Sequence, residues 1–193
     1  MSLKSVAALI IAILFSSSVL GAECAGVTYP EKDQEGGVEL ILNGLGLREA
    51  TMFKVDVYVA ALYVPSKSLL GDTIITAEGP KKLILKFVRD VSKDDISGAW
   101  SESFEKVAGD NLEKLKTRIT KLNSWMADMN VGSTLTFIFS NSDSNSQVRV
   151  ELNGANKGQI LGVDFAKSLL SIWLGPDPPN EGLKIGLLGG KCG

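Results

Sequence analysis

The sequence predicts an α+β domain: a mostly antiparallel sheet with helices packed on one face. Three observations carry that expectation. Segments with period-two alternation come first, between Val38 and Val88. A long stretch with helical periodicity follows, from Ser92 to Met129. A second pair of alternating segments then precedes further helical stripes. No fixed-period repeat is visible and no internal linker divides the chain, so its 193 residues read as one domain.

Taken in order, residues 23–37 read as a loose leader, with Pro30 and Gly36-Gly37 breaking any pattern. Val38 to Leu42 is a short strand, and Gly44, Gly46 and Arg48 suggest a tight glycine-rich turn, whose glycines permit either a positive φ or a close backbone approach. Met52 to Val64 is the longest strand signal. Phe53, Val55, Val57, Val59, Ala61 and Tyr63 form an apolar, core-facing side, while Lys54, Asp56 and Tyr58 open the other side. That second side turns apolar from Ala60, so the strand enters from solvent and ends buried on both faces. Pro65 ends the pairing. Residues 66–80 connect to a strand over Lys82–Val88, with room for one turn of helix.

Ser92 with Asp95 three residues on is a capping box, and Ile96, Trp100, Phe104 and Val107 mark the helix that follows. Gly109 breaks it, and Asp110 to Glu113 suggests a second start. Leu112, Leu115, Ile119, Leu122, Met126 and Met129 then recur in steps of three and four, as a helix lying on a sheet requires. Thr134–Ser140 and Gln147–Leu152 alternate around the polar loop NSDSNS and read as a hairpin. Asn153-Gly154 turns again, before a short strand over Gly158–Leu161. Phe165, Leu169, Ile172 and Trp173 mark a helix closed by Gly175 and Pro176. Pro178 and Pro179 suggest the start of a last short helix through Leu183 and Leu187.

Composition excludes several functions. Hydrophobic residues are 45% and charged residues 22%, which supports a real core. The formal charge of −2, with no basic stripe, argues against nucleic acid as a partner. The chain has no histidine, which removes histidine triads, histidine metal ligands and histidine pH switches together. No metal-ligand cluster or cofactor motif is present; GLGLRE lacks a third glycine and precedes a strand rather than a helix.

Residues 1–22 read as a secretory signal peptide: Lys4, an apolar run from Val6 to Phe15, then small residues with a cleavage site at Leu20-Gly21-Ala22. An uncleaved anchor is the competing reading, but the apolar run is shorter than the ~20 residues a span needs. The expected mature domain is 23–193, exported to a periplasm or secreted, with no membrane span left. Its two cysteines, Cys24 and Cys192, stand at opposite ends of that domain. An even count in an oxidising compartment, with chain termini often close in space, predicts a bridge. The alternative is two free thiols in frayed tails.

Few residues suggest chemistry. Arg48, held by a glycine-rich segment above an apolar sheet, suits binding a carboxylate or stabilising an enolate. Pairing with Glu49 or Asp56 at the surface is the plainer reading. Tyr58, Trp100, Phe104 and Trp173 suit a pocket between helices and sheet, and each also suits plain core packing. Asp94-Asp95 sits in a helix's first turn, where the helix dipole already explains it.

Three segments, GLGLREATMFKVDVYVAALYVP, KFVRDVS and IWLGPDPP, resemble in order the arginine turn, the strand end and the late helix of the chalcone isomerase family, across about Glu39 to Leu188. With the leading signal, the chain looks like that family's bacterial exported branch. The resemblance implies an open-faced β-sandwich, a large antiparallel sheet under a layer of helices with the ligand cleft between them. It implies either an intramolecular lyase acting on an enone such as a chalcone, or a fatty-acid-binding protein that keeps the arginine for a carboxylate. Arg48 matches the family arginine. Tyr58 stands where catalytic members carry a strand threonine, and Ile172, beside Trp173, where they carry a late-helix hydroxyl. Their helix tyrosine falls near Trp100 or Ser101. An arginine without the surrounding hydroxyls implies anchoring of a small amphipathic ligand rather than isomerisation. Arg48, Tyr58, Trp100, Phe104 and Trp173 are then the expected ligand contacts, and Arg48 and Tyr58 the candidates for any remaining catalysis. A cell-envelope interaction protein with a degenerate cleft is a third possibility.

Overall fold

The computed structural model describes residues 21–50, 53–141 and 146–193. The expected signal segment lies almost wholly outside the described residues, as do residues 142–145 of the NSDSNS loop and residues 51–52 before the long strand. Strands β1 (Gly21–Cys24) and β2 (Val27–Pro30) form a small hairpin. Strands β3 (Lys32–Glu35), β4 (Val38–Ala50), β5 (Val55–Val64), β6 (Gly79–Phe87), β7 (Thr134–Asn141), β8 (Gln147–Leu152) and β9 (Ala155–Leu161) form a seven-stranded antiparallel sheet in sequence order. Helices α1 (Gly71–Thr76), α2 (Lys93–Ala108), α3 (Leu112–Ser124), α4 (Val163–Leu174) and α5 (Glu181–Leu187) cover one of its faces. This is the expected α+β architecture.

The sheet is curled. Arg149 of β8 bonds Glu35 of β3 at 3.0 Å, although those strands stand five places apart in the sheet. A flat sheet would separate them by about 24 Å at ordinary strand spacing. Lys82 of β6, three places from β3, likewise reaches across to Asp33 at 2.8 Å.

The 23–37 leader is not loose. Cys24, Val27 and Tyr29 turn inward and join Leu40, Leu42, Val59, Ala61 and Tyr63 in a second core on the face away from the helices. Tyr29 donates to the Val59 carbonyl at 3.2 Å, and Tyr63 to the Pro30 carbonyl at 2.8 Å. Cys24 and Cys192 form the expected disulfide, with Cα atoms 5.8 Å apart across 168 residues of sequence. A stable disulfide points to a compartment outside the cytoplasm. No helix among the described residues is long and apolar enough to cross a membrane.

This second core also corrects the expected facing of β5. The main, helix-covered core takes Tyr58, Ala60, Leu62 and Val64, while Val59, Ala61 and Tyr63 face the smaller one. Both faces are apolar because both are covered. Phe53, expected in the core, is 85% exposed at the tip of the β4–β5 connection.

A larger correction concerns Gly44–Arg48. These residues do not turn; they continue β4 across 13 residues to Ala50. Neither Gly44 nor Gly46 has a positive φ. They are glycines because α5 lies directly on them. A Cβ on Gly44 would meet the Gly186 carbonyl, one on Gly46 the Leu183 carbonyl, and one on Gly186 the Leu45 carbonyl. Small residues on both sides let helix and strand backbones touch.

The remaining differences are local. Ser92 caps α2 as expected, accepting from Asp95 N at 3.1 Å and donating to the Asp95 carboxylate at 2.7 Å. Asp110 caps nothing; a single 3-10 turn over Gly109–Asn111 leads into α3 instead. The apolar stripe outlasts α3, which stops at Ser124, yet Met126 and Met129 stay buried in the segment that follows. The last strand begins earlier than expected, at Ala155, and α5 starts after Asn180 rather than at the prolines.

Candidate functional site

A cleft of about 500 Å³ opens where β4, β5 and β6 emerge from beneath α2 and the segment joining α4 to α5. Its position follows from the helix-facing side of β4, which reads Gly44, Gly46, Arg48. These pair across to Leu62, Ala60 and Tyr58 of β5. The glycines seat α5, whose first residue is Glu181. Past that end the face is uncovered, and the next side chain on it is Arg48.

Arg48 is half-buried and pinned along one edge. Its Nη1 donates to the Pro179 carbonyl at 3.0 Å and to the carbonyl of Glu49. Among the described residues no acceptor takes its Nε or Nη2 protons. Asn180 clasps the same strand end: its Nδ2 donates to the Leu47 carbonyl at 3.1 Å, and its Oδ1 accepts from Glu49 N at 3.3 Å. Segment 176–180 thus fixes both the backbone and the guanidinium at the mouth.

Tyr58 stands directly across the β4–β5 pair from Arg48, where cross-strand neighbours are about 5 Å apart. Its hydroxyl accepts from Trp173 Nε1 at 3.0 Å, and its ring meets Phe87 edge-on at 5.7 Å. Burial pushes the phenol up to about 12, against smaller opposing effects of the Trp173 hydrogen bond and the Arg48 charge. At neutral pH Tyr58 is a hydrogen-bond donor and not a base.

The rim carries charges of both signs. Arg48, Arg89 and Lys106 face the carboxylates Asp90, Asp95, Glu102 and Asp177. Lys106 is already committed: it pairs with Glu102 at 2.8 Å, one helical turn away. That hydrogen bond raises the Lys106 ammonium and lowers the Glu102 carboxyl from their usual values. Among these cations Arg48 alone is both half-buried and held in a fixed orientation by the chain.

Of the five residues singled out from sequence, Arg48, Tyr58 and Trp100 line the cleft. Phe104 and Trp173 do not. Both are fully buried in the main core: Phe104 stacks on Phe165 at 5.4 Å, and Trp173 meets Trp100 at 5.5 Å and Phe137 at 5.6 Å. Neither side chain lines the cleft, and Trp173 reaches it through its hydrogen bond to Tyr58. Sequence reasoning missed Pro179 and Asn180, whose backbone and amide contacts leave no pattern beyond a Pro-Pro-Asn before a helix. It also passed over Glu102 and Lys106, whose i,i+4 spacing on α2 was the signal that could have found them. No group of three metal-ligating side chains occurs among the described residues.

The family model described as chalcone isomerase-like matches residues 21–189. The chain belongs to the chalcone isomerase-like family. Its fold is shared with a solved fatty-acid binding protein of Arabidopsis thaliana, at a TM-score of 0.68 and 16% identity, over 84% of this chain and 92% of that one. No curated protein matches the sequence. In this member of the chalcone isomerase-like family Arg48 stands at the mouth of a cleft between sheet and helices.

Proposed function

We propose that this chalcone isomerase-like protein works outside the cytoplasm as a binding protein for a small amphipathic acid, without chalcone isomerase activity. Arg48 holds the acidic head, and the cleft between sheet and helices takes the apolar body. The observation that carries this reading is the pinned guanidinium. Two backbone carbonyls occupy Nη1 and leave Nε and Nη2, the edge that grips a carboxylate with two parallel hydrogen bonds. The fatty-acid binding of the Arabidopsis neighbour supports the same class of ligand. Tyr58 adds a neutral donor beside the head, and Trp100 contributes to the floor.

An isomerase acting on an enone would use the same Arg48 to stabilise an enolate and needs a proton-handling group beside it, for which Tyr58 is the candidate. Burial holds Tyr58 protonated, so it could give a proton to an enolate but not take one from a substrate at neutral pH. Export rests on the signal-like residues 1–22 and on the disulfide. Cleavage after Ala22 would leave Glu23 as the first residue found by N-terminal sequencing of the exported protein.

Native mass spectrometry of the purified protein, with extraction of whatever is bound, tests the function. An acidic amphiphile is expected, released by Arg48→Ala with a loss of affinity of at least about tenfold, as for a charge-assisted hydrogen bond. Unchanged affinity in Arg48→Ala would remove the anchor. Turnover of chalcone would favour the isomerase.

A further inference from the structure

Charge is unevenly divided along this chain. Segments 112–125 and 155–167 hold six lysines and arginines against two acids, a local charge of +4 in a chain of −2. No basic stripe shows in the sequence because these segments lie apart; the fold brings them onto one face. Along α3, Lys114, Arg118, Lys121 and Trp125 recur at steps of four, three and four, on the flank that meets β9 and the start of α4. Arg118 donates to the Leu161 carbonyl at 3.1 Å and grips both oxygens of Asp164, at 2.7 and 2.6 Å. Lys121 donates to the Gln159 carbonyl at 3.1 Å and lies over the ring of Trp125, which covers Gly158. Lys157, next to Gly158, and Lys167, one turn into α4 from Asp164, are exposed.

Most of this charge is unanswered. Asp164 takes Arg118, and Glu113 takes Lys116. Lys114, Lys121, Lys157 and Lys167 make no ion pair among the described residues. On the same face two aliphatic side chains flank Gly162, which sits against the Arg118 guanidinium: Leu161 is 60% exposed and Val163 48%. Four uncompensated cations attract a polyanion. Aliphatic side chains gain nothing on a soluble polyanion, but they leave water when laid into the headgroup layer of a bilayer. β9 is an edge strand, yet a partner strand cannot add to it here, because Lys121 and Arg118 already occupy its outward carbonyls at Gln159 and Leu161. We propose that the α3–β9 face docks on a bilayer surface rich in anionic lipid. Leu161 and Val163 enter the headgroup layer, and Lys114, Lys121, Lys157 and Lys167 meet the lipid charges around them. None of these residues lines the Arg48 cleft, so the docking stands whether or not Arg48 anchors an acid.

Co-sedimentation of the exported protein with vesicles tests the docking. Vesicles of phosphatidylglycerol and phosphatidylcholine in equal parts should bind it, pure phosphatidylcholine vesicles should not, and about 0.5 M salt should release it. The side chains of Lys114, Lys157 and Lys167 make no hydrogen bond among the described residues, so replacing all three by glutamine leaves the fold's contacts intact. Each charge lost near a lipid surface weakens binding about fivefold, so this triple variant should bind about a hundredfold more weakly. Leu161→Ser with Val163→Ser should weaken binding at least about tenfold. Arg48→Ala should sediment like the wild type. No binding to the anionic vesicles, equal binding to both kinds, or unchanged binding by the triple lysine variant overturns the proposal. Binding that depends on the lysines but not on Leu161 and Val163 also overturns it and assigns the face to a soluble polyanion.

Discussion

Lys81 shows how a single residue is constrained by the core it sits in. It lies on the helix-facing side of β6 with Leu83, Leu85 and Phe87, only 1% exposed, and its ammonium reaches the Ala77 carbonyl without a carboxylate partner. Burial lowers it to about 8. Between pH 8 and 10.5 the unfolded chain holds a proton on this amine that the folded chain has lost, so stability to urea rises with pH across that window. Lys81→Met is expected to remove this slope. Tyrosines act in the opposite sense: burial raises Tyr29, Tyr58 and Tyr63, so above pH 10 the unfolded phenols ionise first and stability falls. Urea midpoints measured from pH 7 to 11 should therefore pass through a maximum near pH 9–10, and Lys81→Met should lack the rising limb. At the site, Trp173→Phe removes the hydrogen bond to Tyr58 and is expected to cost about 1 kcal/mol, read from the urea midpoint, beyond any packing change.

At the scale of elements, the decisive contact is α5 on β4. Its residues touch backbone to backbone at Gly44, Gly46 and Gly186, and the loop before it holds Arg48 through Pro179 and Asn180. Gly46→Ala puts a methyl group against the Leu183 carbonyl, a backbone atom that no change of rotamer moves away. We expect a loss of about 1–3 kcal/mol from overpacking, seen as a lower urea midpoint. Ligand affinity should fall with it, although residue 46 touches no ligand, because the shifted loop no longer orients Arg48. Unchanged affinity in a destabilised Gly46→Ala protein would separate α5 seating from the site. On the opposite wall, Ser92 caps α2, the helix carrying Trp100, Glu102 and Lys106. Ser92→Ala should cost about 1 kcal/mol with little change at Arg48.

For the whole molecule, the disulfide and the curl of the sheet close a structure whose two ends meet. Cys24 belongs to the β1–β2 hairpin over the outer core, and Cys192 follows α5. The bridge therefore ties the outer layer to the chain end that seats the helix on β4. Replacing both cysteines by serine is expected to lower stability by up to ~4–5 kcal/mol, measured by urea unfolding with the wild type compared with and without reductant. The helix-covered core around Phe137, Phe165 and Trp173 makes no contact with the bridge and should keep its near-UV signature in the folded variant. Loss of that signature under native conditions would mean that the two cores do not stand independently.

How much of this was readable beforehand depended on the range of the interaction concerned. Alternation and helical stripes, which are properties of neighbours in sequence, located the main strands, α2, α3, α4 and the β7–β8 hairpin. Local chemistry located the Ser92 cap and the Asn153-Gly154 turn. Composition alone excluded histidine chemistry, and the placement of two cysteines anticipated their bridge. Arg48 was legible as a candidate because it follows a glycine-rich segment and matches the arginine of the family that the sequence resembles. The glycines were read as a turn, with positive φ and close approach both open: a glycine that frees the backbone and one that admits another backbone look alike until the partner, about 140 residues away, is in place. Both faces of β5 are apolar, so only the β1–β2 cover decided which side meets the helices. Trp173 and Phe104 had the composition of a pocket and the packing of a core, a distinction made by their neighbours in space. Sequence by itself determined the elements and the chemistry available, because both are set by local pattern and residue type. Tertiary structure alone decided which side chains line the cleft and which edge of Arg48 stays open, because those depend on contacts between segments far apart in the chain.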